Sequence, residues 1–225
     1  MFLLRKGIVY MLQKFFNPDH PINRFFSKIF CILYLNILWL LCSLPIVTIG
    51  PATTALYYTM LKVVSGDDSS TTSYFFHAFR QNFRQGTILG IASVLTGLLL
   101  FYDLLYYVIA PGRIYSVIQI FQIFIIIFYL MIVTWLFAVL AKFDNTIFKI
   151  IQSAFYLAFR YTGYSVIMII SEVSLFFIMF FYVPLLALWG MGLIAFINCI
   201  CFHNIFSRYL PSDNTDISDP SHWDS

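Results

Sequence analysis

The chain has 225 residues, of which 61% are hydrophobic, 20% aromatic and only 10% charged, with a formal net charge of +3. A soluble domain carries about a quarter charged residues and has no interior for so large an apolar share. An all-α, polytopic membrane protein with a single membrane domain over 1–210 is therefore expected, and the small basic excess reports topology rather than nucleic-acid binding.

Residues 1–28 carry Arg5, Lys6, Lys14, Arg24 and Lys28 among aromatics, with a break at Asn17-Pro18-Asp19-His20-Pro21. This reads as an interfacial helix, a turn and a basic lead into the bilayer. Basic residues interrupt the apolar ones and no small-residue cleavage site follows, so no removable signal peptide is expected. The first two spans cover about 29–44 and 51–64, roughly 24 and 21 Å at helical rise, both shorter than the ~30 Å apolar core of a bilayer. Between them runs Cys42-Ser43-Leu44-Pro45-Ile46-Val47-Thr48-Ile49-Gly50-Pro51. Pro45 removes a helical donor and crowds the preceding turn, whereas Gly50-Pro51 favours a new helix start. The result is a short hairpin with an apolar turn, expected to lie shielded by the later spans while side chains or water meet its freed carbonyls. Pro45 and Gly50 are on that ground candidate intramembrane functional residues.

The polar run 65–72 leads to Ser73 as N-cap of an amphipathic interfacial helix over 73–85, with Phe75, Phe76, Phe79 and Phe83 on one face. Spans three and four follow at about 86–109 and 114–141, separated by Ala110-Pro111-Gly112-Arg113. A second interfacial helix, 147–160, places Ile147, Ile150, Ile151, Ala154, Phe155 and Ala158 together. The apolar run 161–206 is too long for one span and divides near Pro184 into spans at about 161–182 and 185–206. The tail 211–225, polar and rich in Asp, is expected to be disordered and cytoplasmic. With the hairpin running out and back, twelve Lys and Arg residues fall inside and only Arg113 outside, whereas without the return the division is six to seven. The positive-inside rule selects the former, with both termini cytoplasmic. Ala78-Phe79-x-x-x-Phe83-Arg84 also matches Ala154-Phe155-x-x-x-Phe159-Arg160 at a spacing of 76, as a duplication of span, amphipathic helix and span would give.

Glu172 is the one carboxylate deep within an apolar run, about 16 Å from the inner end of its span. A charged carboxylate at that depth costs several kcal/mol, so it is protonated or paired. Asn36, Thr96, Thr134 and Asn198 are the available polar partners, and the acid is either a functional group or interhelical glue. Asp103 and Arg113 read as a structural pair about the outer turn, and His77 and His203 as solvated or capping residues rather than metal ligands. Cys31, Cys42, Cys199 and Cys201 read as small hydrophobes. Without a phosphate-binding, dinucleotide or nucleophile motif, neither enzyme activity nor a cofactor is expected.

From Leu35-Asn36 through Leu41 to Gly50, then Thr54-Ala55-Leu56-Tyr57-Tyr58 and Phe79-Arg80-Gln81-Asn82-Phe83-Arg84-Gln85, the chain resembles the YesL family of bacterial integral membrane proteins. Phe16-Asn17-Pro18-Asp19 and Asn23-Arg24-Phe25 extend the likeness and make the first fourteen or so residues an extension. The family has no settled activity, and its members are encoded beside sugar-binding lipoproteins, carbohydrate ABC permeases and glycan-degrading enzymes. The resemblance thus implies an accessory or regulatory component of carbohydrate uptake in the bacterial cytoplasmic membrane. Importer permease subunits or a sugar-binding lipoprotein would be its partners beside the bilayer, and Arg80, Arg84 and Arg160 candidate docking residues. The residues themselves leave an alternative open, a small secondary transporter or channel built on the broken hairpin and Glu172.

Overall fold

A computed structural model of the chain describes residues 21–67, 69–109, 113–181 and 187–209. Among these, every regular element is helical: α1 (Pro21–Cys42), α2 (Ile49–Val64), α3 (Thr71–Gln81), α4 (Phe83–Ile109), α5 (Arg113–Lys142), α6 (Ile147–Arg160), α7 (Thr162–Phe181) and α8 (Ala187–Tyr209). The expected helix before residue 21, the 110–112 turn, the reversal at Pro184 and the tail lie outside the described residues.

The chain is assembled around α2, which touches α1, α3, α4, α5 and α8. Its first turns read Gly50-Pro51-Ala52-Thr53-Thr54-Ala55, all buried, because only small side chains let several neighbours approach one helix together. The threonines return their hydroxyls to the helix itself, Thr53 to the carbonyl of Ile49 at 2.7 Å, Thr54 to Gly50 at 3.0 Å and Thr59 to Ala55 at 2.8 Å. Each is thereby satisfied without water, as an apolar setting demands. The closest approach is to α4. A Cβ added at Gly50 would stand 1.9 Å from the Gly86 carbonyl oxygen, and one at Gly90 2.8 Å from the Gly50 Cα. Gly86-x-x-x-Gly90 is thus a small-residue seam on which α2 lies backbone to backbone.

Breaks occur where the sequence predicts them, though with different lengths. Helix α1 ends at Cys42, a 3-10 turn covers Ile46–Thr48, and α2 starts at Ile49. Thr48 does the capping, its hydroxyl donating to the carbonyls of Cys42 at 2.6 Å and Pro45 at 2.7 Å. Helix α1 begins at Pro21 rather than near 29, because proline's fixed φ and missing N–H suit a first helical position and the basic lead-in continues as helix. The amphipathic helix spans 71–81, not 73–85: Ser70, not Ser73, precedes it, and Asn82 interrupts the ladder before Phe83 opens α4. The Asn82 side chain folds back onto the carbonyl of Ala78 while its own carbonyl accepts the Gly86 N–H, so one residue ends a helix and starts the next.

Helix α3 runs back along α2. The Lys62 ammonium sits 5.7 Å over the Tyr74 ring, and twelve residues away along each strand of this pair Gly50 meets Gly86. Equal rises of roughly 18 Å make α3 and the start of α4 an antiparallel partner for the whole of α2. Tyr74, Phe75 and Ala78 are buried in that contact. Phe76 and Phe83 are exposed, so only part of the expected phenylalanine face is turned inward.

One expectation fails. Leu44, Pro45, Ile46 and Val47 are exposed, with Leu44 at 78% and Ile46 at 72%, so the hairpin tip is not enclosed by the later helices. Because α2 meets α4 near its start, the remaining nineteen residues of α4 after Gly90 continue past the tip for roughly 28 Å. Helix α5 returns beside them, held by the Tyr129 hydroxyl on the Ser93 carbonyl and by Gln122 on that of Leu100. Over this length Leu99, Tyr102 and Phe121 are among many exposed apolar residues. The interior lies instead at the other end, where Trp135 to Ala141 of α5 pack with α2, α3, α6 and α8.

Candidate functional site

Helix α7 carries Glu172 toward α5 and α8. The Thr134 hydroxyl reaches its two carboxyl oxygens at 3.1 and 3.3 Å, and Asn198 Nδ2 donates to Oε1 at 2.9 Å. The same Asn198 amide donates to the Tyr57 hydroxyl at 2.9 Å, which fixes its orientation and joins α2 to the set. Its own Oδ1 is buried with no hydrogen-bond partner among the described residues. Four helices thus contribute one residue each to a connected polar group. Tyr57 is further held by the Cys199 thiol against its carbonyl and by the edge of Phe202, whose ring also meets Trp135 at 4.7 Å. Trp135 is itself anchored by its indole N–H on Ser165 at 2.8 Å.

Glu172, Thr134 and Tyr57 face a cavity of about 500 Å³ between α2, α4, α5, α7 and α8. Its walls are Ile49, Val94, Leu130, Val133, Phe137 and Met191 among others, with Thr53 and Ser93 adding hydroxyls. Thr53 is engaged already, since it donates within α2 and accepts the Trp39 indole N–H at 3.1 Å. The volume is within the range of small-molecule sites. Along α4 the cavity begins at Gly90, about 9 Å of helix beyond Arg84, and it reaches Ile49 at the start of α2, so it lies within the apolar zone.

Of the residues singled out in the sequence, Glu172 and Asn198 come together, with Thr134 as the second partner. Asn36 is elsewhere: fully buried, it accepts the backbone N–H of Gly192 at 2.8 Å and locks α1 to α8, where a Cβ on Gly192 would stand 2.9 Å from the Ile32 carbonyl. Thr96 is exposed and takes no place in the site. Gly50 forms the α2–α4 contact, and Pro45 sits at the exposed tip away from the cavity. Arg80, Arg84 and Arg160 are exposed near the ends of α3 and α6 and the start of α4. The Arg113 side chain lies outside the described residues. His203 Nδ1 lies 3.4 Å from the Ser65 hydroxyl. Tyr57 is the member that sequence reasoning missed, and the motif Thr54-Ala55-Leu56-Tyr57-Tyr58 was its signal.

At the basic end, Asp67 accepts from the Tyr74 hydroxyl at 2.6 Å and from Ser69 at 2.8 Å, bonds that hold its carboxyl below the ordinary aspartate value. Gln81 donates to both oxygens of Asp144 at 3.1 Å, tying the end of α3 to the turn before α6.

Two helical segments, Phe83–Tyr107 and Val117–Lys142, are long and apolar enough to cross a membrane, and shorter apolar helices cover Phe26–Cys42, Thr162–Leu175 and Gly190–Ile205. An all-helical chain with these segments, exposed apolar faces and an acid among them has the character of a membrane-associated helical protein. A family described as "Protein of unknown function, DUF624" matches residues 32–104, that is, most of α1 through α4. The chain is 28% identical over 180 residues to the uncharacterised protein YesL of Bacillus subtilis (strain 168), covering 78% of this chain and 85% of YesL. It is also 28% identical over 180 residues to the uncharacterised protein YteU of the same strain, covering 77% and 79%. No solved structure matches. The chain is thus similar over most of its length to two uncharacterised proteins, YesL and YteU. Tyr57 lies inside the family match, whereas Thr134, Glu172 and Asn198 lie beyond it.

Proposed function

We propose that the chain is a multi-pass protein of the bacterial cytoplasmic membrane that binds a small molecule within the bilayer, as a small transporter or channel would. Helices α1, α2, α4, α5, α7 and α8 are its six membrane segments, both termini are cytoplasmic, and it is not an enzyme. The observation that carries the binding reading is Glu172, held by Thr134 and Asn198 at the wall of a 500 Å³ cavity rather than sealed between helices. The shortness of α2 and the projection of α4 and α5 beyond its start favour a re-entrant first hairpin. A single cysteine at Val133, in a chain lacking its native cysteines, should react with a small methanethiosulfonate reagent while one at the buried Leu140 does not. Equal inertness of the two would refute a reachable cavity. Cysteines at Ser70 and Asn145 should label only from the cytoplasmic side, and outside labelling at either would reject the topology.

A second reading, an accessory role in carbohydrate uptake, is favoured by Arg80, Arg84 and Arg160, exposed beside the outward-facing Phe83 and Phe159. Arginine with aromatic neighbours is a common docking chemistry. Mild-detergent purification from a native membrane should then recover an importer permease or binding lipoprotein from the parent chain and lose it from the triple Arg→Ala variant.

A further inference from the structure

We infer that the cavity takes a lipophilic organic cation, an ammonium group carried on an apolar or aromatic body, with the ammonium placed against Glu172. The inference deepens the small-molecule reading above and rests on it. Among the described residues lining the cavity, Glu172 is the one carboxylate, and no Lys, Arg or His is present to neutralise it. Asn198 supplies an oriented N–H dipole to the carboxyl group, while the Thr134 hydroxyl shares its one proton between that group and the Leu130 carbonyl at 2.9 Å, and neither brings a charge. Asn198 bonds only Oε1, and Thr134 reaches Oε2 at the longer distance of 3.3 Å, which leaves acceptor capacity on Oε2.

The remaining walls choose the rest of the ligand. Val94, Leu130, Val133 and Ile194 offer apolar surface, while Tyr57 and Phe137 offer rings. A cation beside aromatic rings in a desolvated site is attracted by their quadrupoles in addition to the acid. An anion would meet Glu172 with like charge. A sugar would bring several hydroxyls to a wall where Thr53 is already engaged on both its donor and acceptor sides, leaving most of them unpaired. A neutral hydrocarbon would fit the walls and leave the carboxyl group where it is, with nothing gained from it.

The test uses the full-length chain in lipid nanodiscs and a matched pair of probes. Benzyltrimethylammonium carries the charge, and neopentylbenzene has the same shape with carbon in place of nitrogen. Binding is read by equilibrium dialysis and saturation-transfer NMR against empty nanodiscs. The cation should bind at least tenfold more tightly than the hydrocarbon, Glu172→Gln should remove that preference, and Val133→Trp, which fills the cavity, should abolish binding of both. If the two probes bind alike, or if Glu172→Gln leaves the cation's affinity unchanged, the cation assignment is wrong while the ligand-binding cavity stands. If neither probe binds the parent chain, the cavity reading falls with it. Should Glu172→Gln fail to fold, the probe pair on the parent chain and on Val133→Trp still decides between these outcomes.

Discussion

The α2–α4 seam makes opposite predictions for chemically identical substitutions. Gly50→Ala would add a methyl group whose carbon stands 1.9 Å from the Gly86 carbonyl oxygen and 2.9 Å from the Gly90 Cα, both backbone atoms that cannot rotate away. Ordinary contact is near 3.4 Å or beyond, so α2 and α4 must part by an ångström or more at the tightest point of the bundle. Overpacking of this kind costs about 1–3 kcal/mol, and the gain from replacing glycine with alanine in a helix, about 1 kcal/mol, offsets only part of it. A backbone clash falls at the upper end of that range, leaving a net loss of about 2 kcal/mol and a melting temperature lower by about 4–8 °C for a chain of this size. Gly163, in the first turn of α7, has no atom within 4 Å of an added Cβ. Gly163→Ala should therefore hold or raise the melting temperature. The fully buried Cys199 provides the assay, since unfolding in detergent exposes it to a thiol-reactive fluorophore. If Gly50→Ala melts at or above the parent temperature, or Gly163→Ala falls as far as Gly50→Ala, the backbone contact is not what sets α2 against α4.

Asn198→Val should lower stability by about 1 kcal/mol, the scale of interhelical hydrogen bonds between membrane helices, and Thr134→Val by less, as read by the same thiol assay. Trp135→Phe should cost about 1–2 kcal/mol by the same assay, through the lost indole bond to Ser165 and a reduced fill. Because the native value for Asp67 is depressed, its bond with Tyr74 contributes stability above the unfolded aspartate value of about 4 and loses it as pH falls through the lower native one. Protection from hydrogen exchange over 63–67 and 69–75, taken relative to the intrinsic rate at each pH, should accordingly fall at acid pH in the parent chain, whereas Tyr74→Phe should be less protected already at neutral pH; equal protection in both chains at neutral pH would refute the role given to this bond.

What the sequence discloses and what it hides follow from different physics. Pro45 was legible because a missing N–H stops a helix that would otherwise run on through it, and Thr48, placed to take the freed carbonyls, follows from the same rule. Exposure of the tip was not legible, since it depends on where α2 crosses α4, and that crossing is set by the Gly86-x-x-x-Gly90 pattern. The pattern is plain in the sequence but lies inside a run otherwise read only for hydropathy. Asn82 and Tyr161 stop α3 and α6 one residue before the next helix, and neither is a proline or glycine that marks a break in advance. Thr134 and Asn198 stand out as polar residues in apolar runs. Tyr57 does not, because a tyrosine in a membrane helix ordinarily reads as an interfacial anchor.

The spacing of 76 gains meaning from burial. Tyr74 and Ala78 are buried on α3 and Asn82 just after it, and Ile150, Ala154 and Ala158, each 76 residues on, are buried on α6. Helix α3 packs on α2 as α6 packs on α5, and each leads into a further helix after a one-residue break. In this correspondence Tyr57 of α2 falls on Val133 of α5, the neighbour of Thr134, so the two central helices bring equivalent levels to the same cavity. The Glu172 site therefore sits where two like units face each other, with the acid supplied by the unit that follows α6 and closed by α8. On the small-transporter reading proposed above, such a junction is where a ligand site is expected, because a small change in how the two units pack opens it to one side or the other.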